Sequence, residues 1–253
     1  MTERLTTRKG TSAGQKAEFR KGFYPGRPAH WIERVVYETE SPSPTVAEHL
    51  AAIERGQRDF SYPGHDATVF RLLRSLIPEK GLRKGADIGC ATGCFPAMQL
   101  ACGIEKCTVF EVRDVEVSHP QIEVRIQDLS NEADLKPEFD LVTCLSTIEH
   151  VGLGRYGDRL DPWGDIKLAH NIRKLVRPGG LVLISFPAGA GCVVYNMHRI
   201  YTAYRRALLF EGYRVLGVHR GLSIYRRARH ALGNFVRGHL GRFTQPVNLL
   251  TVA

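Results

Sequence analysis

Residues 85–101 restrict the fold more than any other part of the chain. A short apolar run, 85–90, carries the acidic Asp87 and turns through Gly89 and Gly93. It passes directly into a run of small and apolar residues at 93–101 that reads as a helix. A strand that feeds a helix through a tight glycine turn sends the chain back across its own sheet. The next strand must then lie parallel to the first.

The remaining text repeats this unit. Strand-like runs at 107–112, 122–126, 139–145, 181–186, 213–218 and 246–252 bring the count to seven. Helices are expected at 44–57, with Pro44 near the start and Gly56 near the end, and at 66–77, where Val69, Leu72, Leu73 and Leu76 share one face. Further helices are expected at 163–176, stopped by Arg177-Pro178-Gly179-Gly180, and at 196–210. The alternation implies an α/β fold with a mostly parallel sheet covered on both faces. The strands at 213–218 and 246–252 are expected to pair antiparallel at the sheet edge. Residues 1–28 are polar, basic and interrupted by Gly and Pro, and read as an arm. We divide the chain into an N-terminal arm and helical cap, 1–65, and a domain, 66–253, with a basic helical insertion at about 219–243.

Apolar residues make up 43% of the 253 and charged residues 24%, ordinary globular values that exclude a disordered or fibrous chain. No window approaches 18 consecutive apolar residues, and the first residues lack the apolar stretch of a secretory signal. Cytoplasm is the expected compartment. Cys90, Cys94, Cys102, Cys107, Cys144 and Cys192 show no paired CxxC spacing and read as reduced thiols. The net charge of +9 sits at the ends: residues 1–21 hold six basic side chains against two acidic, and seven arginines but no acids follow Glu211. Such ends suit an anionic partner. The segment 224–240 places Ile224, Ala228, Leu232, Phe235 and Val236 on one helical face and arginines on the rest. That pattern suits peripheral contact with an anionic membrane surface.

The glycine turn lets a ligand approach the backbone, and the helix behind it offers unpaired N–H groups. Glu111 lies eighteen residues after Gly93, at the end of the next strand. A carboxylate there can accept two hydrogen bonds from a ribose diol. Asp128 follows the third strand, where a carboxylate can accept an adenine amino group. These three nucleoside-handling positions occur in the order of the strands that carry them.

With ADIGCATG at 86–93, Glu111, Asp128, FDLVTCLSTIEHV at 139–151 and LVRPGGLVLISFP at 175–187, the chain resembles class I S-adenosylmethionine-dependent methyltransferases over about residues 66–253. The resemblance implies a Rossmann-like, doubly wound, seven-stranded sheet with an antiparallel edge strand and an N-terminal helical extension. It implies S-adenosylmethionine as cofactor, held by Asp87, Gly89, Gly93, Glu111 and Asp128, with Cys90, Leu129 and Leu145 beside them. Ala91 stands where this family more often has glycine. A narrower resemblance covers residues 144–218, through EHVGLGRYGD at 149–158, DPWGD at 161–165 and NMHRIY at 196–201. It is to a methyltransferase-like family of unknown function, first catalogued from nematodes and also found in bacteria, where members tend to accompany sugar-modifying genes.

Methyl transfer to a hydroxyl needs a base for the departing proton, and a neutral histidine suits that role. His150 follows the fourth strand, at the mouth where such sheets bind ligands, and Glu149 is placed to orient it. His198 is the second candidate base. Arg155, Tyr156, Asp158, Asn196 and Arg199 are candidate substrate contacts. Glu149, His150, Asp158, Asp161 and Asp165 have the chemistry of divalent-metal ligands, but Asp161 to Asp165 also reads as a turn and helix start, so a metal is not favoured. The expected function is O-methylation of a sugar, glycan or related small metabolite, phosphorylated or lipid-linked forms included. A nucleic-acid methyltransferase fits the charge but lacks the Asn/Asp-Pro-Pro-aromatic motif, since residues 145–148 read Leu-Ser-Thr-Ile. A noncatalytic binding protein is the third reading, opposed by the intact acids Asp87, Glu111 and Asp128.

Overall fold

Residues 44–60, 62, 64–90, 93–115, 117–194, 197–219 and 245–252 are described by the computed structural model. The backbone alone is described at 6–8, 15–21, 32–39 and 220. The basic segment 221–244, with its expected helix, lies outside the described residues, as does Asn196.

Three strands, β1 (Thr6–Arg8), β2 (Gln15–Lys21) and β3 (Ile32–Thr39), form an antiparallel sheet where we expected no regular element. Helix α1 (Val46–Glu54) follows. Thr45 caps it: its hydroxyl accepts the Glu48 N–H at 3.2 Å, and the Glu48 carboxylate accepts the Thr45 N–H at 2.7 Å. Helix α2 (His65–Lys80) ends at Gly81, which adopts the left-handed conformation with φ +61°.

The main domain then runs β4 (Lys84–Ile88), α3 (Cys94–Ala101), β5 (Lys106–Glu111), β6 (Ile122–Ile126), β7 (Phe139–Leu145), α4 (Gly164–Leu175) and β8 (Val176–Ser185). It closes with β9 (Cys192–Val194), β10 (His198–Ile200), α5 (Ala203–Leu209), β11 (Tyr213–Arg220) and β12 (Pro246–Val252). Seven strands form one sheet in the order β11-β12-β8-β7-β4-β5-β6. The pairs from β8 through to β6 are parallel, while β12 runs antiparallel to both β8 and β11. The expected antiparallel pair thus closes the edge, with β12 seated between β8 and the outermost β11. Strand β11 includes His219 and Arg220, which we had assigned to the insertion.

The central strands read as continuous apolar runs because both of their faces are buried. Val182 and Ile184 of β8 face a core with Ile166, Ala169 and Ile172 of α4 and with Tyr201 and Leu209. Leu181 and Leu183 face the other core, with Val46, Val69, Leu73, Ala97 and Met98 of α1, α2 and α3. The expected helix at 196–210 is corrected. Its first half is β10, paired antiparallel with β9, and only Ala203–Leu209 is helical, capped by the Thr202 hydroxyl. The cause is non-local: Tyr201 bridges Ala188, and its amide donates to the Pro187 carbonyl at 2.8 Å.

Strand order reverses between β4 and β7. The chain leaves β4 toward β5 and β6, then returns to build β7 on the other side. Open α/β sheets bind ligands in the crevice at such a switch point, beyond the carboxyl ends of the strands.

Candidate active site

Asp87 lies next to the end of β4 and is 1% exposed. Its Oδ1 accepts the Thr143 hydroxyl, while Oδ2 is buried with no hydrogen-bond partner. Burial raises its pKa to about 7, with Glu111 adding to the rise against the opposing Thr143 hydrogen bond. Gln99 of α3 donates to the Thr143 hydroxyl and the Ala86 carbonyl, both at 2.9 Å, and so fixes the helix behind the glycine turn. Gly89 has φ +77°, and a Cβ there would stand 2.2 Å from the Thr147 side chain. Gly93, at φ +74°, caps α3, and its amide donates to Cys90 Sγ at 3.1 Å. A Cβ at Gly93 would stand 3.0 Å from Val46 Cγ2, so both glycines allow close backbone packing at the turn. An orphaned carboxylate oxygen is buried behind it. These residues fit a cofactor.

Glu111 ends β5 and is buried. Its Oε1 accepts the Val112 amide at 3.0 Å and Arg113 Nε at 3.3 Å, and its Oε2 accepts Arg113 Nη2 at 2.9 Å. Asp128 accepts from the Ser130 amide at 3.0 Å, the Ser130 hydroxyl at 2.7 Å and Asn131 Nδ2 at 2.6 Å, capping the short turn at Leu129–Asn131. Leu129 is buried, and its carbonyl accepts Asn171 Nδ2 at 2.7 Å. Leu145 ends β7, also buried. The expected cofactor residues therefore lie along the ends of adjacent strands.

The other wall is the short turn at Ile148–His150 and the loop after it. Glu149 is 3% exposed, its Oε2 has no partner, and burial raises its pKa to about 8. His150 Nδ1 bonds the Met197 carbonyl, which the β9–β10 hairpin brings over the turn. Arg155 Nη1 lies 3.2 Å from the same Nδ1, so the carbonyl favours a proton on Nδ1 while the guanidinium disfavours it; with the proton on Nδ1, Nε2 keeps its lone pair. Nε2 lies 3.9 Å from Glu149 Oε1. Burial, then the neighbouring Arg155 guanidinium, hold the His150 pKa well below the usual histidine range. The same two causes bring His198 to about 4, and its buried Nε2 has no partner. The rings of His150 and His198 stand 6.4 Å apart, and Tyr156 meets His150 edge-on at 5.6 Å. Sequence positions nearly fifty residues apart thus converge on one face of the crevice.

Two of the expected substrate contacts, Asp158 and Arg199, bond the backbone of the loop. Asp158 accepts the amides of Gly152 at 2.7 Å, Gly154 at 3.3 Å and Tyr156 at 3.2 Å. Arg199 is 2% exposed and donates to the carbonyls of Val151 and Asp161. Both tie up the loop backbone. Arg155 donates to the Met197 carbonyl at 2.8 Å and lies 5.2 Å over the Tyr156 ring, so these two side chains do face the histidines. Among the described residues, no group of three or more His, Cys, Asp and Glu side chains is placed to hold a metal ion. Asp165 is instead bound to Arg205 and Tyr201, and Asp161 to Lys167.

Two features escaped the sequence reading. His65, at the start of α2, donates from Nδ1 to Asp66 Oδ1 at 3.0 Å, and its Nε2 lies 2.9 Å from the Ser185 hydroxyl. Ser185 Oγ in turn accepts the amide of Ser146, a non-glycine residue with φ +53°. This buried chain pins α2 to the ends of β7 and β8, over the crevice. The adjacent His65-Asp66 after Tyr62-Pro63-Gly64 was its only trace in the sequence. The second is Arg113, two residues beyond Glu111, whose guanidinium also covers the Tyr156 ring at 4.5 Å.

The sheet order and the crevice define the fold of class I S-adenosylmethionine-dependent methyltransferases. The fold is similar to Burkholderia thailandensis 1,6-didemethyltoxoflavin-N1-methyltransferase, solved with S-adenosylhomocysteine, at TM-score 0.51 and 16% identity over 87% of this chain and 96% of that one. It is similar to the [4+2]-cyclase SpnF at TM-score 0.52 and 14% identity, covering 83% and 97%. StiE O-MT gives TM-score 0.50 and 14% identity, covering 74% and 75%. Residues 85–228 match the model of the DUF268 family, described as a Caenorhabditis protein of unknown function, and the chain belongs to that family. No curated protein sequence matches the chain.

Proposed function

We propose that the protein is an S-adenosylmethionine-dependent O-methyltransferase acting on a hydroxyl of a sugar, glycan or related small metabolite. One juxtaposition carries the reading. The cofactor-type acids Asp87, Glu111 and Asp128 line the strand ends, and an uncharged histidine with a free Nε2 lone pair faces the same crevice. The S-adenosylhomocysteine bound by the Burkholderia enzyme of like fold supports the cofactor, and the resemblance to a family accompanying sugar-modifying genes supports the acceptor class.

Asp87, Gly89 and Gly93 would hold the amino-acid end of the cofactor, Glu111 its ribose and Asp128 its adenine. Bound there, S-adenosylmethionine supplies a methyl group made electrophilic by its sulfonium sulfur. His150 removes the acceptor hydroxyl's proton at Nε2, with Nδ1–H anchored on the Met197 carbonyl. Arg155, beside the ring, disfavours the imidazolium and so keeps the ring neutral before the reaction, at a cost to its strength as a base. Strands β9 and β10 and the loop held by Asp158 and Arg199 shield this wall from water.

Methyl transfer from methyl-labelled S-adenosylmethionine to a panel of sugars and nucleotide sugars tests the reading. His150→Ala should lower kcat by about 100-fold or more, the usual scale for a lost general base, while S-adenosylhomocysteine affinity stays within about threefold. Undiminished turnover in both His150→Ala and His198→Ala would remove the proton-transfer assignment.

A further inference from the structure

Asp66, His65 and Ser185 form a hydrogen-bonded chain in which every side chain is buried. Asp66 Oδ1 accepts His65 Nδ1–H at 3.0 Å. With the proton on Nδ1, His65 Nε2 accepts the Ser185 hydroxyl at 2.9 Å. Ser185 Oγ is left to accept the Ser146 amide at 3.1 Å, which the Ser185 carbonyl shares at 3.1 Å. Each bond polarises the next, so the chain has a direction. Its order is that of a nucleophile, a base and an orienting acid. Ser185 is fully buried, however, and its oxygen meets a backbone amide, so the chain serves to hold Ser146.

Ser146 needs holding. Its φ of +53° is disfavoured for any residue with a side chain, and such a residue persists only where its surroundings fix it. Two anchors reach it from outside β7. One is the chain from the start of α2. The other is Gln245, buried beside the start of β12, whose side-chain amide donates to the Ser146 hydroxyl. Thr147 follows directly, and its side chain fills the space that a Cβ at Gly89 would need. The place of Ser146 therefore sets how closely Thr147 meets the glycine turn. The His65 ring also stands edge-on to Phe95, 6.3 Å away in the first turn of α3. On the cofactor reading given above, we propose that His65 is a positioning residue for the cofactor: through Ser185 it fixes Ser146 and Thr147 against the glycine turn, which makes the start of α2 part of the cofactor site.

The test is calorimetric titration of S-adenosylhomocysteine into the wild type and four variants, with a thermal melt of each. In His65→Asn the side-chain amide takes the place of Nδ1, which keeps Asp66 and gives up Ser185. In His65→Gln it takes the place of Nε2 and keeps Ser185. His65→Asn and Ser185→Ala should weaken binding by about tenfold, the scale of a lost buried hydrogen bond, while His65→Gln stays within about threefold. Thr251→Val controls for stability alone. It deletes a buried hydroxyl bond of 2.8 Å to the Gly180 carbonyl, on β8 but far from Ser185, and should melt lower with unchanged affinity. Should His65→Asn not fold, Ser185→Ala, which removes a single hydroxyl, decides the matter. Wild-type affinity in a folded His65→Asn or in Ser185→Ala would overturn the inference and leave the cofactor reading standing. An equal loss in Thr251→Val would do the same, because affinity would then follow stability. So would an equal loss in His65→Gln, which would assign the effect to ring packing against Phe95. If S-adenosylhomocysteine does not bind the folded wild type, both are lost.

Discussion

Asp165→Ala is expected to lower the unfolding free energy by about 3–5 kcal/mol, the scale for breaking a buried ion pair on one side. Asp165 is fully buried at the start of α4. It accepts Arg205 Nε at 2.9 Å and Nη2 at 2.6 Å, and the Tyr201 hydroxyl at 2.9 Å, with Arg199 Nε at 3.7 Å. Removing the carboxylate takes the counter-charge from Arg199, which is 2% exposed, and the nearer acceptor from the buried Tyr201 hydroxyl, leaving it the Ile148 carbonyl at 3.3 Å. It also removes a negative charge from the positive end of the helix dipole. Arg199 is the residue that ties Val151 and Asp161, so the loop carrying Arg155 and Tyr156 should loosen with it. Urea unfolding followed by circular dichroism measures the loss. Asp165→Asn keeps the shape and one acceptor and should fall between the two. A loss under about 1 kcal/mol would mean that the cluster is solvated in solution and does not hold the loop.

Gly89→Ala should weaken S-adenosylhomocysteine binding by about 100-fold, equivalent to about 2.7 kcal/mol. Two costs coincide at this position. The left-handed backbone, φ +77°, disfavours any Cβ by about 1–2 kcal/mol. The Cβ would also meet Thr147 Cγ2 at 2.2 Å and Oγ1 at 2.5 Å, which forces the glycine turn away from the end of β7. That movement displaces the cradle from Asp87. Gly56→Ala is the control. Gly56 has φ +94° but nothing within 4 Å of its added Cβ, so it should show the backbone cost in a melt and no change in affinity.

The strand–turn–helix unit to which we assign the cofactor was legible because it is local. Asp87, Gly89 and Gly93 occupy a single strand–turn–helix unit, and Glu111 and Asp128 each follow a strand that the alternation already marks. The parallel sheet was legible for the same reason. What failed involved partners distant in sequence. The segment 196–210 carries a helical pattern, but pairing of His198–Ile200 with Cys192–Val194 overrides it. The bond between His65 and Ser185 spans 120 residues, and nothing in either neighbourhood announces it. Asp158 and Arg199 looked like substrate contacts because polar side chains in a glycine-rich loop carry no mark of whether they serve a ligand or the loop's own amides. Only the structure shows that both bond backbone groups of that loop. Arg113 was overlooked because Glu111 alone completed the expected pattern.

The most direct test of the central claim is calorimetric titration of S-adenosylmethionine into the wild-type protein and Glu111→Ala. Micromolar binding, about −8 kcal/mol, weakened tenfold or more by the substitution, is the result expected if Glu111 anchors the ribose at the end of β5. A folded wild type that takes up no S-adenosylmethionine, or a Glu111→Ala variant that binds it equally well, would contradict the assignment of this crevice to the cofactor.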